Sequence, residues 1–120
     1  MRLEGDFYQV EERTLTEKGF YARLVLRADH PIYEGHFPTQ GVVPGVCTLT
    51  LVREQLAQVL GAVVRFSAIR ECKFVAALLP REGLTLDLDA EVGVAGDLRC
   101  TASSDGQVVL KLRATWEKIA

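Results

Sequence analysis

One stretch of this chain repeats with a helical period, and it is set among stretches that repeat with the period of a strand. From Gly45 to Leu60 the apolar residues Leu49, Val52, Leu56 and Val59 fall three, four and three apart, which lines them along one helical face. Glu54, Gln55 and Gln58 fill much of the remaining circumference, and Gly61 is placed to stop the helix. Elsewhere the pattern alternates. Phe20, Ala22, Leu24 and Leu26 share one side of a strand, and Leu84, Leu86, Leu88, Ala90 and Val92 alternate with Thr85, Asp87, Asp89 and Glu91. Leu98, Cys100 and Ala102 continue the alternation. After the turn signal Asp105-Gly106, Val108, Leu110, Leu112, Ala114 and Trp116 make a last long strand. One more strand is expected within residues 2–14, closed by the turn Glu17-Lys18-Gly19, and another over residues 69–79, ended by Pro80. One long helix among five or so antiparallel strands predicts an α+β domain, a curved sheet wrapped round the helix, occupying residues 1–120 as one unit.

Composition narrows the function. Apolar residues make up 48% of the 120, enough to bury a core. The net charge of −2 argues against a nucleic-acid binder, whose affinity comes from a basic surface. Cys47, Cys72 and Cys100 form no CxxC pair, so buried free thiols are expected, with no metal site and no cofactor. No apolar run approaches the ~20 residues of a membrane helix. Glu4 and Asp6 come early, with no apolar signal core around them, so a cytoplasmic location is the expectation.

The chemistry concentrates in the run His30-Pro-Ile-Tyr-Glu-Gly-His36-Phe-Pro-Thr-Gln-Gly-Val-Val-Pro44-Gly45-Val46. It sets a histidine on a Gly/Pro-stiffened loop that leads straight into the helix start. There an imidazole can take a proton from a substrate whose carbonyl is polarised by free backbone N–H groups. His30, which precedes a proline, reads as a residue that holds the loop. Metal binding by the two histidines lacks a third ligand at suitable spacing.

This run resembles the loop of the hot-dog-fold 3-hydroxyacyl-acyl-carrier-protein dehydratases, whose pattern is close to H-P-x-x-x-G-H-F-P-G-x-P-x-x-P-G-V. His30, Pro31, Gly35, His36, Phe37, Pro38, Pro44, Gly45 and Val46 match it; Thr39 and Gly41 depart from it. Lys73-Phe74 matches a second family landmark, and Pro80-Arg81-Glu82 matches the family's P-G-D weakly. Divergent relatives, including the dehydratase-like proteins of aryl-polyene pigment pathways, resemble this chain more than the housekeeping enzymes do.

The resemblance implies a homodimer, or a higher oligomer of dimers, acting on acyl-carrier-protein or CoA thioesters. His36 would be the base that removes the α-proton, Gly45 and Val46 the oxyanion donors, and Phe37 and Val43 parts of the substrate pocket. Val42 and the apolar helix stripe can line an acyl tunnel. Arg65, Arg70 and Lys73 would face an acidic carrier. The family places a helix carboxylate fourteen residues after the histidine; here that position is Thr50. A carboxylate, Glu54, comes one turn later, ~6 Å further along the axis. Glu54 can replace the missing acid or be solvated or ion-paired, with Arg53 or Arg65 as partner. Three functions are open: a dehydratase altered at Thr50, a hot-dog thioesterase that uses Glu54, and a non-catalytic acyl or carrier-protein binder.

Overall fold

The computed structural model describes residues 2–33 and 42–119. Six strands and one long helix follow in the order β1 (Tyr8–Leu15), β2 (Gly19–Leu26), α1 (Gly45–Leu60), β3 (Val64–Phe74), β4 (Thr85–Val92), β5 (Asp97–Ser104) and β6 (Gln107–Lys118), with a short 3₁₀ turn at Pro31–Tyr33. All six strands join one antiparallel sheet in the order β1-β2-β4-β5-β6-β3. The alternating runs explain the pairing, because each presents its apolar side to the helix. Ala22 faces Leu88 across β2–β4, Leu88 faces Ala102 across β4–β5, and Ala102 faces Leu110 across β5–β6, all four buried. Asp105 and Gly106 both take positive φ (51° and 78°), as the tight hairpin turn between β5 and β6 requires.

Three details differ from the sequence expectation. β3 starts five residues earlier than expected and ends at Phe74, because residues 75–78 leave the ladder. Val75 keeps one bond, its N–H donating to the Val109 carbonyl, and the Leu78 carbonyl instead receives the N–H of Val43, just before the helix. A register shift between Ala102 and Ser103 turns Val109 inward beside Leu110. The third difference concerns the helix. Its buried face is Cys47, Thr48, Leu51, Val52, Glu54, Gln55 and Leu56, whereas Leu49 and Val59 are only half-buried. The stripe is rotated because residues 3–8 cover the flank carrying Glu54 and Gln55. The helix ends as expected, with Gly61 left-handed (φ 64°) and the N–H of Ala62 returning to the Ala57 carbonyl.

Candidate active site

The helix begins without a side-chain cap. Pro44 occupies the N-cap position in extended conformation (φ −62°, ψ 140°), and the first turn carries no acidic residue. The first N–H groups of a helix, here those of Gly45 and Val46, have no acceptor within it, and they gather at the positive end of the helix dipole. Beside this end lies a mainly apolar cavity of about 490 Å³, walled by Val42, Val43, Gly45, Thr48, Phe74, residues 75–78, Val109 and Leu110. The segment that departed from β3 thus forms one wall and the approach to the helix the other. Gly45 allows a close approach here: a Cβ at that position would sit 2.7 Å from Cζ of the exposed Phe74 ring, which would have to move aside. Val43 and Gly45 both line this cavity. Val46 is exposed, one residue along the same helix start.

Thr50 lies on the half-exposed flank, one turn beyond Val46. Its hydroxyl donates to the Val46 carbonyl (2.7 Å), so the proton is committed to the helix backbone and the oxygen is left to accept. A hydroxyl in this state cannot serve as general acid near neutral pH.

Glu54 goes elsewhere, and the expectation that it stands in for the acid is at odds with its surroundings. It lies nine residues past Gly45, ~13 Å along the axis, and does not line the cavity. One carboxylate oxygen accepts the N–H of Leu3 (2.7 Å); the other accepts the N–H of Glu4 (2.9 Å) and the Tyr8 hydroxyl (2.8 Å). Gln55, fully buried, donates to the Tyr8 oxygen (3.0 Å) and to Glu4 (3.1 Å) and accepts from Arg13 (2.9 Å). Burial, more than the neighbouring carboxylates, holds the Tyr8 hydroxyl protonated well above its ordinary range. No ion pair joins Glu54 to Arg53 or Arg65 among the described residues. The carboxylate ties helix to N-terminal segment. The signal for this was present but weak: polar Glu54 and Gln55 adjoin the apolar stripe, and Leu3, Phe7 and Tyr8 have no regular period of their own.

His36 and Phe37 lie outside the described residues. Both flanks of their segment are anchored. His30 accepts the Ile32 N–H at Nδ1 (3.0 Å), so its Nε2 carries the proton given to Asp6 (2.8 Å). The hydrogen bond from His30 is the main reason the Asp6 carboxyl stays below its usual range. The imidazole stands edge-on to Phe7 (5.4 Å, 87°), and the Tyr33 hydroxyl donates to the Arg27 carbonyl (2.8 Å). At the far flank is the Val43–Leu78 bond (2.8 Å).

The basic trio is dispersed. Arg65 is engaged by Glu117, and Arg70 lines a charged groove with Glu91, Arg99 and Arg113. Lys73 sits eight residues from Arg65, ~26 Å along the strand, next to Phe74 at the cavity wall. Its cross-strand partner is Lys111, which the sequence reading missed although the β6 alternation puts it on the wet face. Cys47 and Cys100 are buried and Cys72 half-buried, and burial pushes the Cys100 thiol up to about 12. Among the described residues no three His, Cys, Asp or Glu side chains cluster as a metal site would require, and no helix is long and apolar enough to cross a membrane.

One antiparallel sheet wrapped round a long central helix, with a pocket at the helix start, defines the hot-dog fold. Residues 11–112 match the ApeI-like family, described as ApeI dehydratase, and the chain belongs to that family. The 3-hydroxyacyl-[acyl-carrier-protein] dehydratase FabZ of Staphylococcus aureus is 30% identical over 101 aligned residues, covering 73% of this chain. The chain spans 66% of the length of that curated relative. Among solved structures, an uncharacterized protein from Erwinia carotovora subsp. atroseptica shares the fold with a TM-score of 0.80, at 24% identity over 93% of this chain and 97% of its own. The dehydratase heterocomplex ApeI:P from Xenorhabdus doucetiae matches with a TM-score of 0.73, at 25% identity over 90% of this chain and 96% of the matched one.

Proposed function

We propose that this chain binds a 3-hydroxyacyl thioester carried by an acyl-carrier protein and takes part in its dehydration to the trans-2-enoyl thioester. The observation that carries this reading is the apolar cavity opening onto the uncapped helix start, at the end of the segment that bears His36. The acyl chain occupies the cavity between Val43 and Phe74, and the thioester oxygen meets the N–H groups of Gly45 and Val46. Negative charge that builds on that oxygen as the α-proton leaves is stabilised there. His36, as a neutral imidazole, takes the α-proton. The C–O bond at carbon 3 then breaks, the α,β double bond forms, and the departing hydroxide takes a proton to become water.

Thr50 cannot donate that proton. We assign it the holding of the 3-hydroxyl or a water as hydrogen-bond acceptor, and we place the donor on a second chain. The exposed flank with Val46 and Thr50, and the edge strand β3 with its exposed Ile69, supply a surface for pairing with a relative that bears the acid. The relative from Xenorhabdus doucetiae is itself a heterocomplex. Lys73 and Lys111 beside the cavity wall suit the acidic surface of a carrier protein. Glu54 is assigned a structural role, which disfavours the thioesterase reading.

Mass spectrometry of the protein incubated with 3-hydroxyacyl carrier thioesters separates the alternatives: loss of water, release of acid, or unchanged substrate with retained carrier binding. Loss of water that disappears in His36→Ala is the expected result. Acid release abolished by Glu54→Gln would replace this reading with hydrolysis.

Gly45→Val provides a check on the cavity. The new side chain has to displace the half-exposed Phe74 ring, so stability is expected to change by less than about 1.5 kcal/mol. Turnover or binding of long acyl thioesters is expected to fall about tenfold, a loss of ~1.4 kcal/mol. Adding Phe74→Ala to Gly45→Val should recover most of it.

A further inference from the structure

We propose that the Thr48 hydroxyl makes the cavity selective for acyl chains that carry a further oxygen, a hydroxyl or carbonyl beyond carbon 3, over plain hydrocarbon chains of the same length. This deepens the function proposed above and rests on the acyl chain occupying the cavity. Among the described residues that line the cavity, Thr48 has the one polar side chain. It lies on the buried face of the helix with Cys47, Leu51 and Val52 and is only 4% exposed. A valine has nearly the same shape, so packing alone gives no reason for a hydroxyl there. No hydrogen bond engages it among the described residues, whereas Thr50, two residues on, returns its proton to the Val46 carbonyl. No fully enclosed side-chain oxygen or nitrogen lacks a partner among them either, so the Thr48 oxygen keeps open surface, and it keeps it in the cavity it lines. A water at that point finds a single side-chain partner in the described lining, fewer than the roughly two to four bonds that hold a buried water.

Position along the helix decides which ligand oxygen Thr48 meets. The thioester oxygen is placed at the free N–H groups of Gly45 and Val46, and Thr48 lies ~4.5 Å further along the axis, on the same face as Gly45. Helix positions two apart face away from each other, so Thr48 cannot share the 3-hydroxyl or water assigned to Thr50. Its partner is an oxygen carried deeper into the cavity by the acyl chain. A donor enclosed by apolar walls discriminates well, because a chain without that oxygen leaves the hydroxyl dehydrated and unpaired.

Saturated acyl-pantetheine thioesters test this without turnover, since they have no 3-hydroxyl to lose. Chains of one length, either plain or with a single keto oxygen at successive positions beyond carbon 3, are titrated into the full chain. Binding is followed at the amide resonances of Val43 and Gly45. Wild type is expected to bind the best-placed keto chain about tenfold more tightly than the plain chain. Thr48→Val should abolish that preference while binding the plain chain at least as well as wild type does, and Thr48→Ser should keep most of it. Without ligand, Thr48→Val should unfold at or above the wild-type temperature, because the hydroxyl it removes is not held by the fold. Plain chains bound by wild type as tightly as every keto chain, or a preference that survives in Thr48→Val, would overturn the selectivity. A marked drop in the unfolding temperature of Thr48→Val would overturn it too, by showing the hydroxyl committed to the fold. If no thioester, plain or oxygenated, shifts the Val43 and Gly45 amides, the proposed function falls with it.

Discussion

Glu54→Ala is expected to destabilise the protein by roughly 3 kcal/mol or more, because three buried donors lose their acceptor at once and each unsatisfied group costs about 1–3 kcal/mol. The donors are the Leu3 and Glu4 N–H groups and the Tyr8 hydroxyl, on residues that are buried or half-buried in the fold. For a chain of this size the midpoint of thermal unfolding should drop by about 10 °C or more. Glu54→Gln is expected to fall between, since one amide oxygen still accepts while its NH₂ group meets another donor. Protection of the amides of residues 3 and 4 from hydrogen exchange should be lost in both variants. A stability change under about 1 kcal/mol for Glu54→Ala would return this carboxylate to the list of candidate acids.

Thr50→Glu is expected to act in the opposite sense on activity. A positioned acid or base typically contributes ~10²–10⁴ in rate, and the reaction proposed here lacks the acid on this helix. Thr50 is half-exposed and its hydroxyl bonds only the backbone four residues earlier, so a longer side chain is accommodated without rebuilding the core. Enoyl formation by Thr50→Glu should therefore rise ~10²-fold or more over wild type when the chain is assayed alone. Thr50→Gln should give no such gain, and His36→Ala in the Thr50→Glu background should remove it. An unchanged rate would mean that the absent helix acid does not limit the reaction.

Much of the fold was legible because local pattern and tertiary burial agree. The alternations at residues 84–92 and 98–102 face inward as read, and the helix runs from Gly45 to Leu60 where its period predicts. The failures occur where chain distant in sequence decides the outcome. Glu54 and Gln55 read as a wet helix flank, yet residues 3–8 fold over them and supply donors and an acceptor. Residues 75–79 read as strand by their apolar character, but they leave the ladder to wall the cavity and to receive Val43. The structure places Val43 and Gly45 beside the pocket. It separates Glu54 from that pocket and disperses Arg65, Arg70 and Lys73 along β3, which spacing in sequence alone could not reveal.

In the proposed reaction His36 removes a proton from the carbon next to the thioester. Incubation of a saturated acyl-carrier thioester in deuterated buffer isolates that step, because such a substrate has no hydroxyl to lose. Stereospecific incorporation of deuterium at the α-carbon is expected from the wild-type chain and none from His36→Ala. Equal exchange in both, or none in either across short and long acyl chains, would contradict it.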